Sequence, residues 1–406
     1  MVKILLLVDD YLPSTKSAPL MMHQLATELH RRGHAVFLAT PSQTLATPVE
    51  ADTCNGFTVI RFSAGRFKNT GRIRRAINEL LFSRRLLRAI KKIPALDRVD
   101  LIVYYSPSIF WGTAVSRLKK RWHCPSYLIL RDIFPQWCVD SGILSAHSPI
   151  CGFFRYFERI NYDAADRIGV QSPGNLAYFD SRRYVRDKVE VLYNWFDCGD
   201  SLPVPGGYRE KLHLEGKIIY FYGGNIGNAQ DMMNIVRLAR NMISRPEAHF
   251  LLVGAGDEYS LVEEEKRKFG LHNMTLLEAV DQKEYFSLLA EIDVGMLTLN
   301  PMHKTQNFPG KLLGYMFCAK PILGSINSGN DTIEIINNAG AGLISVNPDD
   351  RSFQENAEAF LDPDRRRNAG IRARDLLERQ FSVTAAADHL MAFGQALCKS
   401  PSDTPK

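Results

Sequence analysis

The chain has 406 residues, 45% hydrophobic and 23% charged, a length beyond the comfortable span of one hydrophobic core and a composition that excludes a disordered or fibrous chain. Residues 1–200 hold 28 Lys/Arg against 18 Asp/Glu and residues 201–406 hold 22 against 26, so a basic first half (+10) precedes a mildly acidic second (−4). Cysteines at 54, 124, 138, 151, 198, 318 and 398 form no C-x-x-C pair, which argues against a disulfide framework or zinc knuckle and for a reducing compartment.

In chain order, KILLLV (3–8) reads as a buried parallel strand. Asp9 and Asp10 follow it at once with no small-residue cleavage site, so a signal peptide is not expected. No run of 18 apolar residues occurs, so no membrane span is expected either. Ala18 to Arg32 carries Met22, Leu25, Ala26 and Leu29 at helical spacing, and Gly33 stands where a helix C-cap belongs. HAVFLAT (34–40) completes a βαβ opening whose first turn lacks G-x-G-x-x-G. Strands are expected at 57–62, 101–105, 126–130 and 167–170, with helices between them.

The stretch 65–93 holds ten Lys/Arg and one acid, with Ile73, Ile77, Leu80, Leu81, Leu87 and Ile90 near one helical stripe. A basic amphipathic helix of this kind suits an anionic bilayer surface, or a core-packed helix with a solvated basic face. No nucleic-acid motif accompanies it. Residues 194–216 are rich in Pro, Gly and Asp and read as a linker. The strand–helix rhythm then restarts at 217–222, 249–253, 274–277, 294–297, 321–323 and 342–345. Domains are therefore expected at 1–193 and 217–375, with a C-terminal helix and tail at 376–406.

Open α/β sheets bind ligands beyond the carboxyl ends of their strands, so the loops there carry the chemistry. GGNIGNAQD (223–231) leaves backbone N–H groups bare at Gly223, Gly224 and Gly227, as a phosphate requires and as any tight turn also requires. GAGDE (254–258) repeats the arrangement with Gly254 and Gly256. NPMHKTQNFPGKLLGYM (300–316) brings Lys304 and Lys311 to a loop and a helix start. Gly314 lies inside that helix at a cost of roughly 1 kcal/mol against Ala, which suits close approach by a ligand or tight packing. NSGND (327–331) adds polar groups to the same edge. In the first half, Arg131 and Asp132 leave a buried strand as a charged pair, beside Ser106, Ser108 and Ser172, the last a candidate helix cap. The ten histidines form no metal pattern, and His23 and His30 are expected to be exposed. No H-E-x-x-H or G-x-S-x-G occurs.

In this order the loops resemble the retaining glycosyltransferases of family four, which have the GT-B fold. The resemblance spans nearly the whole chain: SAP (17–19), RDIFPQW (131–137), QSPGN (171–175), NWFD (194–197), GGNIGNAQ (223–230), GAGD (254–257), FPGKLLGYM (308–316) and GAGL (340–343). RDIFPQW and NFPGKLLGYM look most like the L-fucosamine transferases of bacterial O-antigen and capsule clusters. Those move N-acetyl-L-fucosamine from UDP to a polyprenyl-pyrophosphate-linked N-acetylglucosamine.

The resemblance implies two Rossmann-like α/β domains with a cleft between them and a C-terminal helix packing back on the first. It implies a UDP-sugar on the second domain, a lipid-linked saccharide acceptor on the first, and a cytoplasmic protein at the inner-membrane surface. No cofactor, metal or nucleic acid is implied. Arg131, Asp132 and Lys311 are then the catalytic candidates, with Lys304 as a second cation for the leaving UDP. The nucleotide side also takes in Gly224, Asn225, Gly227, Gln230, Gly254, Gly256, Gln306, Gly310, Gly314 and Asn330. Gln306 and Gly314 stand where the family carries two glutamates. Asn225 and Gln230 occupy the region of its arginine and lysine, and Arg131 replaces its histidine. A GT-B nucleotide-sugar epimerase and a non-catalytic nucleotide-sugar-binding protein are the rival readings.

Overall fold

In the computed structural model, which describes residues 1–14, 16–65, 78–199, 201–302 and 308–398, the opening apolar run is a strand, β1 (Lys3–Leu7). Helix α1 (Ser17–Arg31) and strand β2 (Ala35–Ser42) follow, and β1 pairs parallel with β2. Next come β3 (Val49–Cys54), β4 (Phe57–Ser63), α2 (Phe82–Ile90), β5 (Leu101–Tyr105), α3 (Gly112–Trp122) and β6 (Ser126–Leu130). A short α4 (Gln136–Asp140), α5 (Pro149–Ala164), β7 (Arg167–Val170) and β8 (Val189–Val191) complete the set. The sheet runs β3-β4-β2-β1-β5-β6-β7-β8, antiparallel only at β3–β4.

Side chains alternate across the sheet. Leu5 and Leu7 of β1 enter a core shared with α2, α3 and α5, while Ile4 and Leu6 enter the opposite core, with α1. Both faces are covered, which is why the strand reads as an unbroken apolar run. β3 and β8 were not expected from the sequence. β3 (VEADTC) is exposed over four of its six residues, and β8 is only three residues long, so neither leaves an apolar signal.

The basic stretch 65–93 is described only in part, and residues 66–77, with Arg74 and Arg75, lie outside the described residues. In α2, Phe82, Leu86, Ala89 and Ile90 are buried while Arg84 and Arg88 face solvent. Arg85 turns inward, donating to the Ala64 carbonyl and to Asn78 Oδ1.

A second unit covers residues 196–382. Its elements are β9 (Ile218–Asn225), α6 (Met232–Asn241), β10 (Ala248–Ala255), α7 (Tyr259–Lys268), β11 (Met274–Leu277), α8 (Gln282–Glu291) and β12 (Val294–Thr298). α9 (Lys311–Phe317), β13 (Ile322–Ile326), α10 (Asp331–Ala339), β14 (Gly342–Val346), α11 (Asp350–Ala359) and α12 (Pro363–Leu376) follow. All six strands pair parallel in the order β11-β10-β9-β12-β13-β14.

The chain enters this unit at Phe196, inside the stretch read as a linker. From Gly206 that stretch is clamped to the end of α8. The Glu291 carboxylate accepts from the backbone N–H groups of Gly206 (2.7 Å), Tyr208 (3.0 Å) and Arg209 (2.9 Å), and Arg209 pairs with Asp293 at 2.6 Å.

The last helix, α13 (Val383–Cys398), returns to the first unit. Ala386, Ala387, Leu390 and Met391 join Ile4 and Leu6 in the core beside α1. Arg32–Asp388 (2.6 Å) and His389 Nε2–Glu190 (2.6 Å) fasten its polar side. Among the described residues no helix is long and apolar enough to cross a membrane.

Candidate functional site

In the second unit the chemistry gathers where β9 and β10 end. Tyr222, the last large side chain of β9, donates its hydroxyl to the Asn225 carbonyl at 2.6 Å and folds the exit loop over itself. Gly223 N–H donates to the Tyr315 hydroxyl of α9 at 3.2 Å. Gly224 then turns outward at φ +128°, a region that L side chains rarely adopt, and is exposed. A Cβ placed there would lie 3.4 Å from Lys311 Nζ.

Among the described residues, Lys311, at the start of α9, is the cation set against the Gly224 turn. Its Nζ sits 3.6 Å over the Tyr222 ring. Among the described residues it has no carboxylate partner. Burial alone pushes its pKa down to about 7. A lysine so placed beside an exposed glycine turn can accept an anion.

The remaining residues proposed for this edge divide by what holds them. Asn225 Nδ2 donates to Gln230 Oε1 at 2.6 Å, so these two side chains brace the loop. A Cβ on Gly227 would strike Asp257 Oδ1 and Asn225 Nδ2. Gly254 and Gly256 are set by main-chain approach, since Cβ atoms there would collide with the carbonyl oxygens of Gly224 and Ile226. Gly310 is exposed with open space around it. Gly314 is buried, and its missing side chain leaves room for Leu289 Cδ1 (3.1 Å) and Tyr285 of α8, so packing within the unit accounts for this glycine. Asn330 is buried and caps α10, accepting from Thr332 N–H at 3.0 Å. Lys304 and Gln306 lie outside the described residues.

In the first unit Arg131 is buried at the end of β6. Its guanidinium donates to the carbonyls of Leu192 (2.6 Å) and Tyr193 (3.1 Å) and lies 5.5 Å over the Trp195 ring. Its Nε is buried without a hydrogen-bond partner among the described residues. Burial lowers its pKa to about 10. The sequence presented Arg131 as one of a charged pair with Asp132. The guanidinium instead makes its hydrogen bonds to the backbone after β8.

Asp132 is exposed, and Ser106 Oγ donates to its carbonyl oxygen at 3.3 Å. Partial desolvation of this exposed carboxyl raises its pKa, and the Arg131 charge partly opposes the shift. Gln171 Nε2 donates to the Arg131 carbonyl (3.0 Å) and Asn194 Nδ2 to Gln171 Oε1 (3.3 Å), which ties the strand ends together. Ser172 Oγ donates to Asn175 Oδ1 at 3.2 Å and makes no side-chain cap. His23 is half-buried rather than exposed, with Tyr11 Oη 2.7 Å from Nδ1 and Asn55 Nδ2 3.1 Å from Nε2.

Sequence reasoning missed Tyr222, and it named Asn194 and Trp195 only as part of the NWFD segment. Tyr222 ends an apolar strand and reads as core, and its position under Lys311 depends on a residue 89 positions later. Among the described residues no three His, Cys, Asp or Glu side chains gather as metal ligands would.

Comparison with known proteins adds the following. A Glycosyl transferase 4-like domain matches residues 20–195, and a Glycosyl transferases group 1 domain matches residues 216–362. The probable glycosyltransferase WbjE of Pseudomonas aeruginosa is 24% identical over 218 residues, which is 53% of this chain and 54% of that protein. Sucrose-phosphate synthase of Thermosynechococcus elongatus superposes with a TM-score of 0.66 at 17% identity, covering 98% of this chain and 100% of that one. HepE of Anabaena, solved with UDP and glucose, gives 0.65 at 14% over 98% and 100%. WaaG, a glycosyltransferase involved in lipopolysaccharide biosynthesis, gives 0.61 at 16% over 96% and 99%. These structures share the GT-B architecture of two parallel-sheet α/β domains.

Proposed function

The chain belongs to the GT-B glycosyltransferases, a 4-like domain preceding a group 1 domain, and from that premise we propose that it moves a sugar from UDP to a polyprenyl-pyrophosphate-linked saccharide in O-antigen or capsule synthesis. The sugar in this proposal is N-acetyl-L-fucosamine or a related acetamido-deoxy sugar, as the RDIFPQW and NFPGKLLGYM segments suggest. The enzyme would work at the cytoplasmic face of the inner membrane, where a lipid-linked acceptor resides.

The observation that carries the reading is the Lys311 ammonium facing Gly224 at the end of β9, without a carboxylate partner among the described residues. As a glycosyl–phosphate bond breaks, negative charge builds on the departing diphosphate. A preset cation stabilises that charge without reorganising. The description of HepE as a complex with UDP and glucose supports the same ligand class here. On the acceptor side, Asp132 orients the incoming hydroxyl. Arg131 acts as a positioning residue, fixing the loop that carries Asp132 to the chain after β8. The epimerase and non-catalytic readings gain nothing from the comparisons.

The test is transfer itself. UDP-sugars are offered with a polyprenyl-pyrophosphate-linked N-acetylglucosamine, and product is followed by mass. The expected result is a lipid-linked disaccharide from one acetamido-deoxy donor. A donor epimerised or left intact whatever acceptor is present would overturn the reading.

A further inference from the structure

Helix α5 is built inside out. Glu158 and Asn161 are buried among Cys151, Tyr162 and Ala164, while Ile150, Phe153 and Tyr156 are 60%, 41% and 63% exposed. The buried carboxylate is well held. Arg155 Nη1 donates to both Glu158 oxygens (3.1 and 2.9 Å), and the hydroxyls of Tyr162 and Tyr178 donate to Oε1 (3.3 and 3.0 Å). Rolling the helix to hide its rings would turn Glu158 out of the interior and break its hydrogen bond with Tyr178.

The outward rings form a continuous surface. Phe134 meets Phe154 at 4.8 Å between centroids, Phe154 meets Phe153 at 5.6 Å, Phe153 meets Phe157 at 5.0 Å and Tyr156 meets Phe157 at 5.3 Å. Trp137 of α4, 48% exposed, lies 6.4 Å from Phe134. Scattered exposed rings would need no explanation, but a connected aromatic surface does.

We propose that this aromatic face docks into the interfacial layer of an anionic phospholipid bilayer. Trp and Tyr, apolar in body and polar at the tip, suit that layer. Charge selects the occupant. α2, α3 and α5 cover the same side of the sheet, with α3 packed against both α2 and α5. Arg88, Lys91 and Lys92, at the end of α2, and Arg117, Lys120 and Arg121 of α3 are exposed, and among the described residues none of them is in an ion pair. An anionic lipid surface neutralises these unpaired cations.

The inference rests on the reading of a lipid-linked acceptor and gives it a location. Phe134 of the aromatic surface and Asp132 share the loop after β6, so an acceptor headgroup at the bilayer surface meets that loop.

Trp111, Trp122 and Trp195 are buried, which leaves Trp137 as the exposed tryptophan. The experiment is flotation of the full chain with phosphatidylcholine/phosphatidylglycerol vesicles, alongside tryptophan quenching by lipids brominated in their tails. The protein should float with anionic vesicles, float less at high salt, and show quenching that Trp137→Phe removes. Phe153→Ser with Tyr156→Ser should lower partitioning by about tenfold or more and leave UDP binding unchanged. Absence of flotation, or flotation without quenching that the double variant leaves intact, would overturn the proposal. So would a dimer in solution that the double variant dissociates. UDP titration of the same preparations separates the two ideas: wild type that floats but fails to bind UDP defeats the transferase reading and leaves the docking face standing.

Discussion

Lys311 is half-buried as a residue, yet its ammonium lies over the Tyr222 ring with no carboxylate partner among the described residues, and burial holds its pKa near 7. A bound diphosphate favours the charged form and raises that pKa, so binding takes up a proton. UDP affinity should therefore fall as pH rises above about 7, and calorimetry in buffers of different ionisation enthalpy should report the uptake. The same residue destabilises the free protein. A lysine whose folded pKa is depressed costs most below pH 7, and the cost fades as pH climbs toward its ordinary value of 10.5. Lys311→Met should thus raise Tm most at acid and neutral pH, with the gain shrinking in alkali; a gain that grows with pH would contradict the assignment. Gly224→Ala forces a side chain into φ +128° against Lys311. A stability loss of about 1–3 kcal/mol, with weaker UDP binding, is the expected outcome. Asp132→Asn should abolish most turnover and leave UDP binding intact. The acid limb of kcat/KM should vanish in the variant.

Helix α13 shows how an element far along the chain completes the first core. Leu390 is fully buried among Ile4, Leu6 and Leu25. Leu390→Ala should destabilise the protein by about 2–5 kcal/mol, read as a lower Tm of the first unit with UDP binding retained. The long parallel strands were legible in the sequence because burial on both faces writes an unbroken apolar run, as in KILLLV and SYLIL. The polar edge strand β3 and the three-residue β8 carry no such run. At the site, Lys311 and the glycine loops could be found from residue type and position after a strand. The partners of Arg131 could not, since the carbonyls it holds belong to residues 61 and 62 positions later. The outward face of α5 was equally hidden: PICGFFRYF reads as core until the structure shows Glu158 and Asn161 on the buried side.

Residues 1–195 with 383–406, and residues 196–382, each enclose their own hydrophobic core. A ligand of the second unit should therefore stabilise that unit selectively, by about 2.7 kcal/mol at a hundredfold excess over Kd. Scanning calorimetry with UDP should move the transition of residues 196–382 further than the other. The charge division, +10 in the first 200 residues against −4 in the rest, agrees with the proposed salt-sensitive docking in the first half and with a single local cation as the proposed nucleotide contact in the second. The account turns on that cation. The most direct measurement is calorimetric titration with UDP, with and without magnesium, of the wild type and Lys311→Ala. Binding to the wild type that does not depend on magnesium, lost in a Lys311→Ala protein of unchanged fold, is the predicted result. Equal affinity in the two proteins, or no affinity in the wild type, would contradict it.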